Sequence, residues 1–392
     1  MSHIKNFVVE YGSRTFDEIP FCDIDNILLC HIFYMPFEKV IYDRPTREPV
    51  SFKDACNKLF AFNGYKHVPC GLILFKSISV EMMAMAMTKR YADVKMVACR
   101  SQFSENPAVQ FAAVTFILPD DTKVVVYRGT DDTLYGWKED FDIFTRKTIP
   151  SHQLGVDYLN SIAKEYKNGK IIVCGHSKGG NVALYSAMNC QQKVRDRIQY
   201  VYNNDGPGFY DYKYLDSKAY KELLPRYKHF VPSCSLIGML LAHDDDYTVV
   251  RSSRIFGAMQ HDPSTWKTRG VGFDTRDDLK VIAKITDLAL RTMIFGIDDV
   301  HSKAFDKVLE TIVEGTGQIN LTNFSKNIVS SVKGAKSAWQ KLDLQTRTFM
   351  SENLSGAGKI FSDAVSTVRK EEKQAAEEKA EAFVSELAAE AN

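Results

Sequence analysis

Nowhere in the 392 residues do about eighteen uncharged apolar residues follow one another, which excludes a membrane-spanning helix. The opening stretch, MSHIKNFVVEYGSRTFDEIP, has no apolar run of signal-peptide length, so a cytoplasmic location is the expectation. Neither sign of charge prevails. The 50 lysines and arginines against 49 aspartates and glutamates leave a net +1, with no electrostatic reason to expect nucleic acid or acidic partners. The eight cysteines (Cys22, Cys30, Cys56, Cys70, Cys99, Cys174, Cys190 and Cys234) form no CxxC and no cluster with histidine. Several lie in apolar runs, where a thiol packs as a small hydrophobe, and all are read as reduced. A P-loop, a GxGxxG, an HExxH and an EF-hand loop are also missing, so no nucleotide, metal or other cofactor is expected. The Asp244-Asp245-Asp246 triplet beside His243 is the nearest thing to a cation site, but hard cations need ligands converging from a shaped loop.

What is present is an ordinary globular composition, 45% hydrophobic and 25% charged, in a chain long enough for one domain with substantial additions. Residues 1–100 carry apolar positions three and four apart in FCDIDNILLCHIFYMPFEKVI, SFKDACNKLFAF and SVEMMAMAMTKRYADV, and predict a mostly helical part packed beside a sheet. The sheet is expected to begin with QFAAVTFILPDDTKVVVYRGT, two β-branched or aromatic runs around PDD, read as a hairpin from about Gln110 to Tyr127. A helix over about Gly155–Tyr166, the buried-strand pattern KIIVCG, the helix NVALYSAMNC and the strand IQYVYNND then form a βαβ succession. YKHFVP and YTVVRS supply further strands, and the fold class is α/β, with a mostly parallel central sheet spanning 101–300. Residues 301–392 are helix-forming and end in TVRKEEKQAAEEKAEAFVSELAAEAN, a solvated charged helix or a contact for a partner protein, without sustained heptads.

The chemistry centres on Gly175-His176-Ser177-Lys178-Gly179. This fits the G-x-S-x-G elbow, in which a strand turns sharply into a helix and projects a serine hydroxyl above the sheet edge. A predicted buried strand before it and a predicted helix after it are the context the motif requires. The bland reading is a glycine-rich turn whose serine caps the helix. An oxyanion developing at Ser177 would be met by the backbone N–H of Lys178, at the helix N-terminus, and by that of Thr130, which follows the Arg128-Gly129 turn in YRGT.

The YRGT…W…D segment, followed about fifty residues later by GHSKGG, resembles the class 3 lipase branch of the α/β-hydrolases. There, an RGS or RGT turn supplies an oxyanion residue. GHSKGGN, NNDGPGF, SLIGMLL and QHDPSTW together resemble a bacterial group of lipase-like hydrolases, over roughly residues 20–270. The resemblance implies an α/β-hydrolase fold and a serine nucleophile with a histidine base on a late loop. Of nine histidines, His3, His31 and His67 precede the sheet, His152 precedes the elbow and His229 lies in a strand. In the family's arrangement His176 points away from the oxyanion side. His243, His261 and His301 remain, and His261 in QHDPSTW matches the family's late histidine.

The acid departs from the pattern. Class 3 lipases carry it in an N-x-x-D-x-V-P stretch, yet FVPSCSLIGMLL has Ser235 where the aspartate belongs. Asp205, in the strand-end NNDGP, resembles the pancreatic-lipase arrangement and would reach the same histidine; Asp244, Asp245 and Asp246 are the alternatives, and a turn residue ahead of Gly206-Pro207 is the structural reading of Asp205. Leu134, Tyr135, Trp137, Phe141 and Phe144 near the mouth suit an apolar acyl group or merely anchor their loop. The expected function is a serine hydrolase of carboxylic esters acting on a small acyl ester or lipid, against a catalytically inactive hydrolase-shaped binding or scaffold protein.

Overall fold

The computed structural model describes residues 2–64, 78–131, 133–243, 246–255, 257–281, 283–285 and 288–289, and near the C-terminus 344, 348, 359–360, 362–371 and 373–374. The chain opens with strand β1 (Ser2–His3), helices α1 (Ile4–Tyr11) and α2 (Asp23–Ile32), strand β2 (Val50–Ser51), and helices α3 (Phe52–Phe62) and α4 (Ile78–Ala86). The Ser51 hydroxyl caps α3 by accepting the Asp54 N–H. Strands β3 (Lys95–Ser104), β4 (Val109–Ile117) and β5 (Lys123–Tyr127) then form an antiparallel meander. The expected hairpin is there, but the sheet starts before it. β3 escapes a sequence reading because only Met96–Cys99 is buried, Arg100–Ser104 is largely exposed and polar apart from Phe103, and a register shift between Val97 and Arg100 breaks the alternation, with Ala98 at φ +54°.

The rest alternates: α5 (Leu134–Thr145), α6 (Pro150–Glu165), β6 (Ile171–His176), α7 (Lys178–Asn189), α8 (Gln192–Arg195), β7 (Ile198–Asn204), α9 (Lys218–Leu223), β8 (Tyr227–Pro232), β9 (Thr248–Val250), α10 (Gly257–Gln260), and the short strands β10 (Lys267–Arg269), β11 (Gly272–Phe273) and β12 (Thr275–Arg276). The helix expected from Gly155 begins earlier, with Pro150 in its first turn, where a missing N–H costs nothing. Nine strands form one sheet in the order β12-β9-β8-β7-β6-β5-β4-β3-β2, and β1, β10 and β11 form a small antiparallel one. Neighbours from β5 to β9 are parallel, whereas β2–β3, β3–β4, β4–β5 and β12–β9 are antiparallel. The architecture is therefore α/β, but the sheet is mixed, not mostly parallel. Two-residue and hairpin-linked strands on its flanks account for the difference.

Because β5, β6, β7 and β8 lie side by side in chain order, right-handed crossovers put their connecting helices on one face. Val125, Tyr127, Ile171 and Val173 pack there against Leu159 of α6 and Val182 of α7. The alternate residues Val124, Val126, Ile172 and Cys174 face the other way, onto Ile27 and Leu28 of α2 and Met82 of α4. The N-terminal helices thus bury the face that the crossovers leave bare, so Val124–Tyr127 of β5 and Ile171–Cys174 of β6 are apolar runs, whereas β7 and β8 carry Gln199, Asn203, Asn204, Lys228 and His229 among their apolar residues. Toward the C-terminus Ala364 and Val368, in helical conformation, pack with Ile285 and Ala289. Residues 301–343 of the expected extension lie outside the described residues.

Candidate active site

Ser177 joins β6 to α7 at φ 60° and ψ −135°, a conformation that only glycine adopts freely. Its hydroxyl makes no capping bond to α7, so the helix-cap reading fails. The backbone is held tightly around it: the Ser177 N–H donates to the Asn204 carbonyl at 3.0 Å, and its carbonyl accepts the Gly180 N–H at 2.8 Å. Two glycines permit the approach of neighbouring elements. A Cβ on Gly179 would strike the Tyr127 carbonyl, and one on Gly129 would strike the Tyr34 hydroxyl and the His176 carbonyl and come within 3.0 Å of Ser177 Cβ. The turn after β5 is therefore pressed directly against the elbow.

Asp205 directly follows β7, at φ +51°, and is fully buried. Its Oδ2 lies 2.7 Å from His261 Nδ1, and its Oδ1 accepts the Ser235 hydroxyl at 2.5 Å and the Gly238 N–H at 3.1 Å. Ser235, which stands where the class 3 pattern has its acid, is thus a donor to Asp205. An ionised carboxylate accepts, so Nδ1 of His261 carries the proton and Nε2 presents its lone pair. Among the described residues no hydrogen-bond partner engages that Nε2.

The loop bearing His261 is fixed from several sides. Trp266, fully buried, donates its indole N–H to the Gln260 carbonyl at 2.8 Å, and Gln260 Oε1 accepts the Cys234 N–H at 2.9 Å. His176 Nε2 donates to the His261 carbonyl at 2.8 Å, and its Nδ1 accepts the Tyr34 hydroxyl at 2.9 Å. Burial pushes the His176 pKa well down, in keeping with this neutral tautomer. The contact of His176 with Tyr34 is one that sequence spacing does not reveal, because Tyr34 comes from just beyond α2. One residue on, Asp262 Oδ1 stands 3.8 Å from Nε2 of buried His31, whose Nδ1 lies 2.9 Å from Glu81 Oε2.

Thr130 is buried, and its hydroxyl donates to the carboxylate of Asp140, 2.6 Å from each oxygen. Burial raises the Asp140 pKa to about 6, opposed by Lys178 and by the Thr130 bond. Lys178 occupies the first position of α7, where geometry leaves its backbone N–H without a partner inside the helix. Its ammonium is buried against Glu139 Oε2 at 2.8 Å.

Of the other candidates, His243 has Nε2 tied to the Met239 carbonyl at 3.1 Å and packs against His229 and Tyr247. His152 is bonded to Asn181 at 2.7 Å. Asp244, Asp245, His67 and His301, and the side chains of Leu134, Tyr135 and Phe144, lie outside the described residues. Trp137 on α5 is exposed and Phe141 half-buried. The described residues contain no group of three or more potential metal ligands.

A family profile described as Mbeg1-like matches residues 85–312, more than half of the chain. The chain belongs to the Mbeg1-like family. The match spans the turn bearing Thr130, the turn at Ser177 and the Asp205–His261 pair, and leaves α1 to α3 outside it. Comparison with curated proteins finds no match. Among solved structures the chain is similar to the native Rhizomucor miehei lipase propeptide complex, with 15% identity over 46% of this chain and 70% of that one and a TM-score of 0.30. A triacylglycerol lipase described as having a serine protease triad at its catalytic centre gives 16%, 44%, 70% and 0.32, and a deletion mutant of the Rhizomucor miehei complex 13%, 58%, 81% and 0.33.

Proposed function

We propose that this member of the Mbeg1-like family is a serine hydrolase that cleaves carboxylic esters through an acyl-enzyme at Ser177. The observation that carries the reading is the strained, uncapped Ser177 on the rim where the Asp205–His261 pair lies. A strained backbone held by its surroundings is a candidate for function because folding alone would not retain it.

In the proposed reaction Ser177 Oγ bonds to the ester carbonyl carbon while its proton passes to His261 Nε2, and the carbonyl π pair moves onto oxygen. The backbone N–H groups of Lys178 and Thr130 receive that oxyanion. Collapse breaks the C–O bond to the alcohol, which leaves with the proton from Nε2. Water then repeats the sequence, giving the acid and free Ser177. Asp205 holds the imidazole in the Nδ1–H tautomer and stabilises its cation. A short or medium acyl chain is the proposed substrate class, because the segment after Thr130 is rich in apolar residues, with Leu134, Tyr135, Trp137, Phe141 and Phe144 within fifteen positions of it. No helix among the described residues is long and apolar enough to cross a membrane.

A fluorophosphonate probe is expected to modify Ser177 stoichiometrically, and p-nitrophenyl esters of two to ten carbons, a range of about the usual esterase acyl lengths, are expected to be hydrolysed. Folded protein that is neither labelled nor active on any of them would overturn the reading in favour of a hydrolase-shaped binding protein.

A further inference from the structure

The side chain of Lys178 has a destination that nucleophilic catalysis does not require. From the residue after the serine, Nζ reaches Gln110 O at 2.7 Å, Gln110 Oε1 at 2.8 Å and Glu139 Oε2 at 2.8 Å, and the side chain is only 2% exposed. Lysine is seldom buried without such full pairing. Gln110 sits where β4 outruns β5: the last pair of that ladder is Ala113 with Tyr127, and Arg128 N–H still reaches Ala112 O. Beyond that point the backbone of Gln110 finds no strand partner on that side. Its N–H goes to Glu139 Oε2 at 2.9 Å, and its carbonyl takes the Lys178 ammonium. Glu139 Oε1 in turn accepts the Ser151 N–H at 3.1 Å and hydroxyl at 2.6 Å.

Capping a strand end would account for the backbone bonds alone. It does not account for the side chain of Gln110, whose Nε2 points to the Gly129 carbonyl at 3.5 Å and whose Oε1 receives the Asp131 N–H at 3.4 Å. Those two residues flank Thr130. The next residue after Glu139 is Asp140, which holds the Thr130 hydroxyl. The oxyanion turn is therefore gripped on both sides of Thr130 and at its side chain, and every grip leads back to the Lys178 side chain within one or two residues.

We propose that Lys178, Gln110 and Glu139 form a strut that fixes the separation of the two oxyanion donors, the residue carrying one donor N–H using its own side chain to hold the turn carrying the other. The proposal rests on the reading of Ser177 as nucleophile. Gln110 and Glu139 are positioning residues; Lys178 combines a donor N–H with a positioning side chain. A donor moved by a fraction of an ångström loses most in the transition state, where the oxyanion is fully charged, and little in the ground state.

The test compares wild type, Gln110→Leu and Lys178→Met on one p-nitrophenyl ester and on a trifluoromethyl ketone, which forms an oxyanion adduct. Gln110→Leu removes the grip on Gly129 and Asp131 but leaves the ion pair and the strand-end bonds, so it keeps the question open to a folded protein if Lys178→Met does not fold. We expect kcat to fall about tenfold in Gln110→Leu and about a hundredfold in Lys178→Met, KM to stay within about twofold, and the ketone Ki to rise by the same factor as kcat/KM falls. An active wild type whose folded variants keep kcat and Ki within about twofold, or lose kcat with Ki unchanged, overturns the strut. A wild type inert to ester and fluorophosphonate alike overturns the nucleophile itself, and the strut with it.

Discussion

Nδ1 of His261 lies 2.7 Å from Oδ2 of Asp205, while the other oxygen of that carboxylate is taken by Ser235 and Gly238. The acid is thus aimed by donors from the loop after β8 and spends its remaining oxygen on one histidine. Asp205→Asn keeps the shape but cannot hold the Nδ1–H tautomer, and turnover of an activated ester is expected to fall about ten-thousandfold, as tautomer loss does in a serine protease. Ser235→Ala removes one of two donors to Oδ1 and is expected to cost about tenfold. Steady-state rates on purified variants check both. Near-wild-type turnover by Asp205→Asn would return the acid to the loop containing Asp246.

The backbone of Ser177 separates two substitutions that both remove its hydroxyl. Ser177→Ala and Ser177→Gly should each lose essentially all activity, on the order of a millionfold. Ala keeps the strain of φ 60°, whereas Gly relieves it. Ser177→Gly should therefore exceed Ser177→Ala in unfolding free energy by about 1 kcal/mol, the relief outweighing the extra unfolded-state entropy of glycine. Urea titration measures the difference. Equal stability, or a less stable glycine variant, would mean that the elbow stores no strain.

The strand–Ser177–helix turn is legible in the sequence because an apolar run leads into G-x-S-x-G, and the meeting of Asp205 with His261 is legible through the resemblance that NNDGPGF and QHDPSTW carry. Strands β4 to β8 are legible for the same reason, being buried on one or both faces over most of their length. β3 is not, since half of it is solvent-facing and a bulge disrupts its period. Nor are the partners that make the site rigid. Tyr34 meets His176 across 142 positions, Lys178 meets Glu139 across 39, and Asn26 meets Asn204 across 178. Such contacts are set by how the layers stack, and no local spacing encodes them. The role of Ser235 is an intermediate case, a visible departure from a pattern whose meaning appears only when Asp205 is seen beside it.

Three buried imidazoles make stability depend on pH. Burial lowers the pKa of His152 to about 4 and of His229 to about 3, and pushes that of His176 well down. Between those values and the unperturbed value of about 6.5, the unfolded chain binds protons that the folded one refuses. More protons bound by the unfolded state means that stability rises with pH in this window and is lost as pH falls through it. Each group contributes roughly 1 kcal/mol per pH unit at full slope. His31, raised by Glu81 and Asp262 against the effect of burial, pulls the other way. The melting temperature should fall between pH 6.5 and pH 5, a window of about the histidine range, and fall less steeply in His152→Asn. A melting temperature that rose over the same interval would show that the imidazoles are protonated in the folded protein.

Asp140 runs in the opposite sense and links stability to the turn bearing Thr130, the proposed oxyanion donor. Its pKa of about 6 exceeds that of a free carboxyl because burial disfavours the charge. The folded state therefore binds the proton more tightly than the unfolded state, so stability falls as pH rises from the free carboxyl value of 3.8 through about 6, the loss is complete above that, and it is recovered on acidification. Asp140→Asn should be more stable than wild type near pH 7.5, by about 1 kcal/mol once the partial exposure of the residue is allowed for, and no more stable at a pH of about 4, where both side chains are neutral. The charge is retained at that cost because an ionised acceptor binds the Thr130 hydroxyl about twice as strongly as a neutral one. Asp140→Asn is accordingly expected to lose about tenfold in kcat with KM little changed, and Thr130→Val to lose at least as much. Paired denaturation curves at the two pH values, with ester kinetics at the higher one, decide it. An asparagine variant that is both less stable at pH 7.5 and fully active would mean that the carboxylate serves the fold and not the turn.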